Sequence, residues 1–89
     1  MTRLQLFQNA LVATKDLGSK YPAMPAVQSI IQQLEYLVGV ESGVIADRSK
    51  LPRLTIGVVT AREIETINMN VAEQLHAVSA EIRLMLSGR

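Results

Sequence analysis

The heptapeptide Leu54-Thr55-Ile56-Gly57-Val58-Val59-Thr60 decides the fold of this chain, because it reads in two ways. Its β-branched residues favour a strand when the segment is taken alone. A single strand set among helices, however, has no ladder partner, and burying its backbone N–H and C=O groups unpaired is costly. Helical spacing fits as well. Leu51, Leu54, Val58 and Ala61 fall on one line, with Ile56, Val59, Ile64 and Ile67 near it. The stretch is therefore expected as a helix from about Leu54 to Ile67. Just before it, Ser49 followed by Pro52 predicts a separate short helical turn, since Ser can cap and Pro fits a first turn.

Upstream of the loop, Val27, Ile30, Ile31, Leu34, Leu37 and Val38, extended by Val44 or Ile45, form a continuous stripe with Gln28, Gln32, Glu35 and Gly39 on other faces. Pro22 and Pro25 are compatible with a helix only at its opening turn, so this helix begins around Pro25, and Gly39 and Gly43 weaken its end. A first helix runs from Leu4 to about Leu17. Thr2 can cap its start, and Gly18 followed by Tyr21-Pro22 is expected to stop it. Downstream, Asn70 with Glu73 has the spacing of a capping box and opens a last helix. Val71, Leu75, Val78, Ile82 and Met85 or Leu86 form its buried line, Gly88 marks its end, and Arg83 and Arg89 lie near the negative end of its dipole. The expected fold is all-α: a small four-helix bundle with an additional short helical turn in the central loop, one domain over residues 1–89.

Composition narrows the function. With 48% apolar residues the chain can bury a modest core without staples. It has no cysteine, hence neither a disulfide framework nor a catalytic thiolate, which fits a reducing compartment. The start Met1-Thr2-Arg3-Leu4-Gln5 lacks the pattern of a signal peptide, and no window approaches the roughly 18 apolar residues that suggest a membrane span. A cytoplasmic protein with no membrane partner is expected. Nine basic against eight acidic residues leave a net charge of +1, which gives no reason to expect a nucleic acid partner.

Tests for chemistry are negative. His76 is the single histidine, and metal binding needs a cluster of ligands that the sequence does not display. No Gly-x-Ser-x-Gly elbow or phosphate loop is present. Glu63 and Glu65, two residues apart, fall on different faces of a helix. No catalytic residue, cofactor or metal site is expected. Tyr36 falls off its apolar stripe and fits equally a contact with a partner or packing against the loop, whereas Tyr21 beside Pro22 reads as structural. Arg48 and Arg53 flank Pro52 and could pin the loop internally or reach outward, with Asp47 able to pair with either. The internal role is favoured for Asp47 and Arg48, since a short link between helices has loose backbone groups to satisfy, whereas Arg53 fits either role equally.

Tyr21-Pro22, the run Gln33-Leu34-Glu35-Tyr36, and Asp47-Arg48-Ser49 followed by Leu51, Arg53-Leu54-Thr55 and Gly57, extended by Ala61, Glu63 and Ile64, carry a resemblance. The chain resembles the small helical immunity proteins with which bacteria neutralise type VI secretion effectors of the NAD(P)-glycohydrolase type. The match is close over the central third and loose elsewhere. It implies a helical fold for Leu54 to Thr60, no enzymatic activity, and a cognate toxin domain as partner, whose active site the immunity protein occludes. The toxin-binding candidates are Gln32, Glu35, Tyr36 and Gly39 on the polar side of the second helix, with Arg48 and Arg53 in the loop; Glu35 and Glu41 could complement a basic site that holds dinucleotide phosphates. The alternative is a helical oligomerisation or adaptor module without a toxin partner. A DNA-binding regulator would need a basic recognition helix that is not visible. A homo-oligomer remains possible, since a bundle this small can pair through leftover apolar surface.

Overall fold

A computed structural model of residues 1–89 shows four helices, with no strand. Helix α1 (Arg3–Lys20) is opened by a reciprocal cap: the Gln5 N–H donates to Thr2 Oγ1 at 3.1 Å, and the Thr2 N–H donates to Gln5 Oε1 at 2.8 Å. The helix passes through Gly18 instead of ending there. Gly18 is buried against α2, where a Cβ would stand 3.3 Å from Val27 Cγ1, so this glycine serves the close approach of two helices rather than a cap. Tyr21 closes the helix, its N–H donating to the Leu17 carbonyl.

Four residues later α2 (Pro25–Glu41) begins, with Pro25 in its first turn as the sequence predicts. Val27, Ile30, Leu34, Leu37 and Val40 are its buried line, while Ile31 and Val38 sit at the margin. Past its end, Gly43 takes a left-handed φ of 84° that folds the chain back. The reversal points Val44 outward, 83% exposed, and sends Ile45 onto α2. Ile45 is therefore the residue that continues the stripe. Its N–H donates to the Gly39 carbonyl at 2.9 Å.

The central stretch is helical, but not over the predicted range. The short turn is a single 3₁₀ turn, Leu51–Arg53, and its buried residue is Leu51. Ser49 is not its cap; the Ser49 N–H instead donates to the Asp47 side chain. Leu54 and Thr55 lie outside any helix, and α3 starts only at Ile56 (Ile56–Val59). From Thr60 to Ile64 the helix widens into a π turn, closed by the Glu65 N–H donating to the Thr60 carbonyl at 3.1 Å. Glu65, Thr66 and Ile67 form a turn, so the helix does not reach Ile67. The buried face also differs from the expected line: Ile56, Thr60 and Ile64 are buried, while Val58 is 59% exposed and Ala61 faces solvent. A run of residues four apart drifts off one face of a regular α-helix. The wider turn brings Ile64 back in line with Ile56 and Thr60.

Helix α4 (Met69–Leu86) is capped by Asn68, not Asn70, with the Val71 N–H donating to Asn68 Oδ1 at 3.0 Å. The earlier asparagine is selected because the π turn and the turn after it end there. Val71, Ala72, Leu75, Val78, Ile82 and Met85 are buried, and Leu86 is half exposed. Gly88 again takes a φ of 84°. Helix α1 packs on α2 and α4, and α3 rests against α4 and α2. Arg3 ties the open end together: its Nε donates to Glu81 Oε1 at 2.9 Å, and its Nη1 lies 4.0 Å from Glu41 Oε1.

Candidate interaction surface

Three residues of α2 hold the central loop. Gln33 acts at its downstream end: its Oε1 accepts from the Thr55 N–H at 2.8 Å, and its Nε2 donates to the Thr55 hydroxyl and to Ser29 Oγ, both at 3.1 Å. That pairing pins Thr55 as the residue preceding α3, with Leu54 before it in an extended conformation (φ −69°, ψ 139°). Tyr36 acts at the upstream end, where its hydroxyl donates to the Asp47 carbonyl at 2.8 Å. Lys50 lies close by, with its ammonium 5.8 Å from the Tyr36 ring centroid, within reach of a cation–π attraction. Gly39 completes the set by accepting Ile45 onto its bare Cα.

Within the loop, Asp47 Oδ1 accepts from the Ser49 N–H at 2.9 Å, an Asx turn that fixes the corner. Hydrogen bonds from Ser49, aided by the nearby Lys50 ammonium, hold the Asp47 carboxyl below its ordinary value. Asp47 thus pairs with neither Arg48 nor Arg53. Both arginines are exposed and take part in no intramolecular ion pair.

The residues nominated from sequence divide accordingly. Gln32 and Glu35 are exposed on α2, and Glu35 has no ion-pair partner. Tyr36 is half-buried and committed to the loop through its hydroxyl. Gly39 is half-buried beneath Ile45, and Glu41 is turned towards Arg3 rather than outward. Sequence reasoning gives Gln33 no role of its own, although its place in the Gln33-to-Tyr36 run, three residues before Tyr36, is the available signal.

A second feature has no counterpart in the sequence pattern. Where α3 crosses α4, Gly57 meets Ser79 so closely that a Cβ on Gly57 would stand 2.6 Å from Ser79 Oγ. Beside this contact is an open groove of about 440 Å³, walled by Leu54, Thr55, Val58 and Ala61 on one side and by His76, Ser79 and Arg83 on the other. A smaller hollow of about 320 Å³ is lined by Pro25, Ala26, Ser29, Val59, Arg62 and Glu63.

Neither hollow assembles a reaction centre. His76 Nε2 is engaged by Glu65 Oε2 at 2.6 Å, and Ser79 makes no hydrogen bond to His76; its hydroxyl accepts from Arg83 Nη1 at 3.5 Å. Base and nucleophile are therefore not coupled, as acyl transfer would require. No three His, Asp or Glu side chains converge as metal ligands, and no helix is long and apolar enough to cross a membrane.

A bundle that fixes its loop through internal hydrogen bonds and leaves Glu35, Arg48 and Arg53 exposed and unpaired beside it has the form of a small helical binding protein. A family model described as Tsi6 matches residues 2–83, and the chain belongs to the Tsi6 family. It is 29% identical over 75 residues to the immune protein Tsi6 of Pseudomonas aeruginosa strain PAO1, an overlap that covers 84% of this chain and 80% of that protein. The structure of Tsi6 from Pseudomonas aeruginosa superposes with a TM-score of 0.81 at 28% identity, covering 88% of this chain and 91% of the other. A structure of Tse6 in complex with Tsi6 matches with a TM-score of 0.90 at 26% identity, covering 99% and 94%.

Proposed function

We propose that this chain is the immunity partner of an interbacterial toxin domain delivered by type VI secretion, and that it acts in the cytoplasm by binding the toxin over its active-site cleft. The observation that carries the reading is the match over 99% of the chain to a structure in which Tsi6 is held in complex with Tse6. The toxin is of the NAD(P)-degrading type, or another nucleotide-modifying type. The immunity protein itself turns over no substrate, in keeping with the uncoupled His76 and Ser79.

Occlusion of this kind buries roughly 1,200 to 2,000 Å² in total and depends on a few anchors. Gln32 and Glu35 on α2, with Arg48 and Arg53 on the loop beside it, form the contact face, and Tyr36 and Gly39 contribute from its margin by holding Asp47 and seating Ile45 and so shaping the loop. Charges of both signs sit on this face without internal partners, so they are free to steer the encounter.

Co-expression tests the proposal. Cells producing the cognate toxin domain, to be sought in the gene next to this one, should grow when this chain is present and arrest when it is absent, and the two proteins should co-purify as a stoichiometric complex. A toxin domain that neither binds the chain nor is silenced by it would overturn the reading.

A further inference from the structure

We infer that the groove between α3 and α4 is a second docking site for the toxin, and that it receives an acidic side chain accompanied by an aliphatic one. This rests on the immunity reading above and adds a surface that lies outside the α2 face. Charge gives the first reason. His76 turns its Nε2 to Glu65, which leaves Arg83 as the one formally charged side chain in the groove without a carboxylate partner. Its guanidinium rests 3.5 Å from Ser79 Oγ, a long contact that a carboxylate would readily replace with a charge-assisted, two-pronged one.

Shape and polarity give the second reason. Opposite Arg83 the lip is apolar: Val58 is 59% exposed, with Leu54 and Ala61 beside it. A side chain set down here meets aliphatic surface on one wall and a cation on the other, the pairing expected at a binding anchor. Continuity gives the third. Thr55 lines the groove and is the residue that Gln33 holds from α2, so the rim of the groove adjoins the polar side of α2 and the loop arginine Arg53. One partner can span both.

Val58→Asp and Arg83→Glu test this, because each alters an exposed side chain: both should keep the wild-type helical spectrum, and only Arg83→Glu should melt slightly earlier, through loss of a cation from the last turn of α4. With the cognate toxin domain as the probe in titration calorimetry, each should weaken binding about tenfold or more. Arg83→Lys should weaken it less than Arg83→Glu, and Arg83→Gln should flatten the dependence of affinity on salt. Val12→Asp, at a valine 70% exposed on α1, should bind as the wild type does. If Val58→Asp melts early, Ala61→Asp on the same lip takes its place beside Arg83→Glu. Wild-type affinity in both Arg83→Glu and the folded lip variant overturns the groove site while the immunity reading stands. A wild-type chain that does not bind the toxin domain at all overturns the immunity reading, and the groove site with it.

Discussion

Replacing Gly39 by alanine sets two effects of opposite sign against each other. In an exposed helix the change stabilises by about 0.8–1 kcal/mol through propensity alone. Here the new Cβ would stand 2.4 Å from Ile45 Cδ1 and 2.8 Å from Ile45 Cγ1. Moving only the tip of Ile45 does not relieve the second contact, and the backbone cannot retreat while the Ile45 N–H is bonded to the Gly39 carbonyl. The side chain must leave its seat. Full burial of an isoleucine is worth about 1.5–3 kcal/mol, so losing the half-buried Ile45 costs about 1–1.5, and a forced rotamer adds about 0.5–1.5. The loss wins by about 1 kcal/mol, and Tm should fall by roughly 4–8 °C for a domain of this size. In an Ile45→Ala background the obstruction is gone, and Gly39→Ala should raise stability by about 1 kcal/mol. Urea titrations of the four species, followed by circular dichroism, measure this cycle directly. Stabilisation by Gly39→Ala in the wild-type background, or the same increment in both backgrounds, would refute the account of Gly39 as the seat of Ile45.

Thr60 is fully buried with no hydrogen-bond partner for its hydroxyl, so Thr60→Val should raise stability by about 1 kcal/mol in the same titration; a loss would mean the hydroxyl has a partner. Leu34→Asp should abolish folding, since Leu34 is 0% exposed and a lone buried carboxylate opposes the whole stability of a small domain, whereas Glu35→Arg should melt within about 0.5 kcal/mol of the wild type and still bind the toxin less tightly. A Glu35→Arg protein that protects cells fully would remove Glu35 from the contact face. The Asp47 carboxyl is depressed in the folded protein, so its contribution to the loop is complete above the unfolded value of about 3.9 and is lost as pH falls through the lower folded value. The Ser49 amide resonance should therefore titrate below a pH of about 3.9 in the wild type and stay flat in Asp47→Asn; a midpoint at or above that value would contradict the Asx turn.

Element type was legible in the sequence wherever a long apolar stripe ran uninterrupted, as in α2, whose Pro25 start is where the sequence places it. Boundaries failed where tertiary contacts competed with local rules. Gly18 is the residue type of a helix stop but lies under Val27, and Leu54 could have begun a helix but is extended where Gln33 pins the next residue, Thr55. Asn68 and Asn70 are equally good caps in isolation; the length of the π turn chooses between them. The same limit applies to the surface. The exposure of Gln32 and Glu35 follows from helical periodicity, but the groove by Arg83 depends on how closely Gly57 lets α3 approach α4, and no spacing rule encodes that distance.

Along α2 the residues that secure the loop and those that face outward are immediate neighbours: Gln33 is next to Gln32, and Tyr36 is next to Glu35. With Gln32 and Glu35 in the proposed contact face, fold and recognition are written in adjacent letters. A lineage whose toxin changed could exchange the outer letter of each pair, reversing a charge or resizing a side chain, while the inner letter kept the loop in place. Divergence confined to such positions would let sister immunity proteins keep one architecture yet fail to protect against each other's toxins, and drift at Gln32 or Glu35 alone could open that barrier between strains.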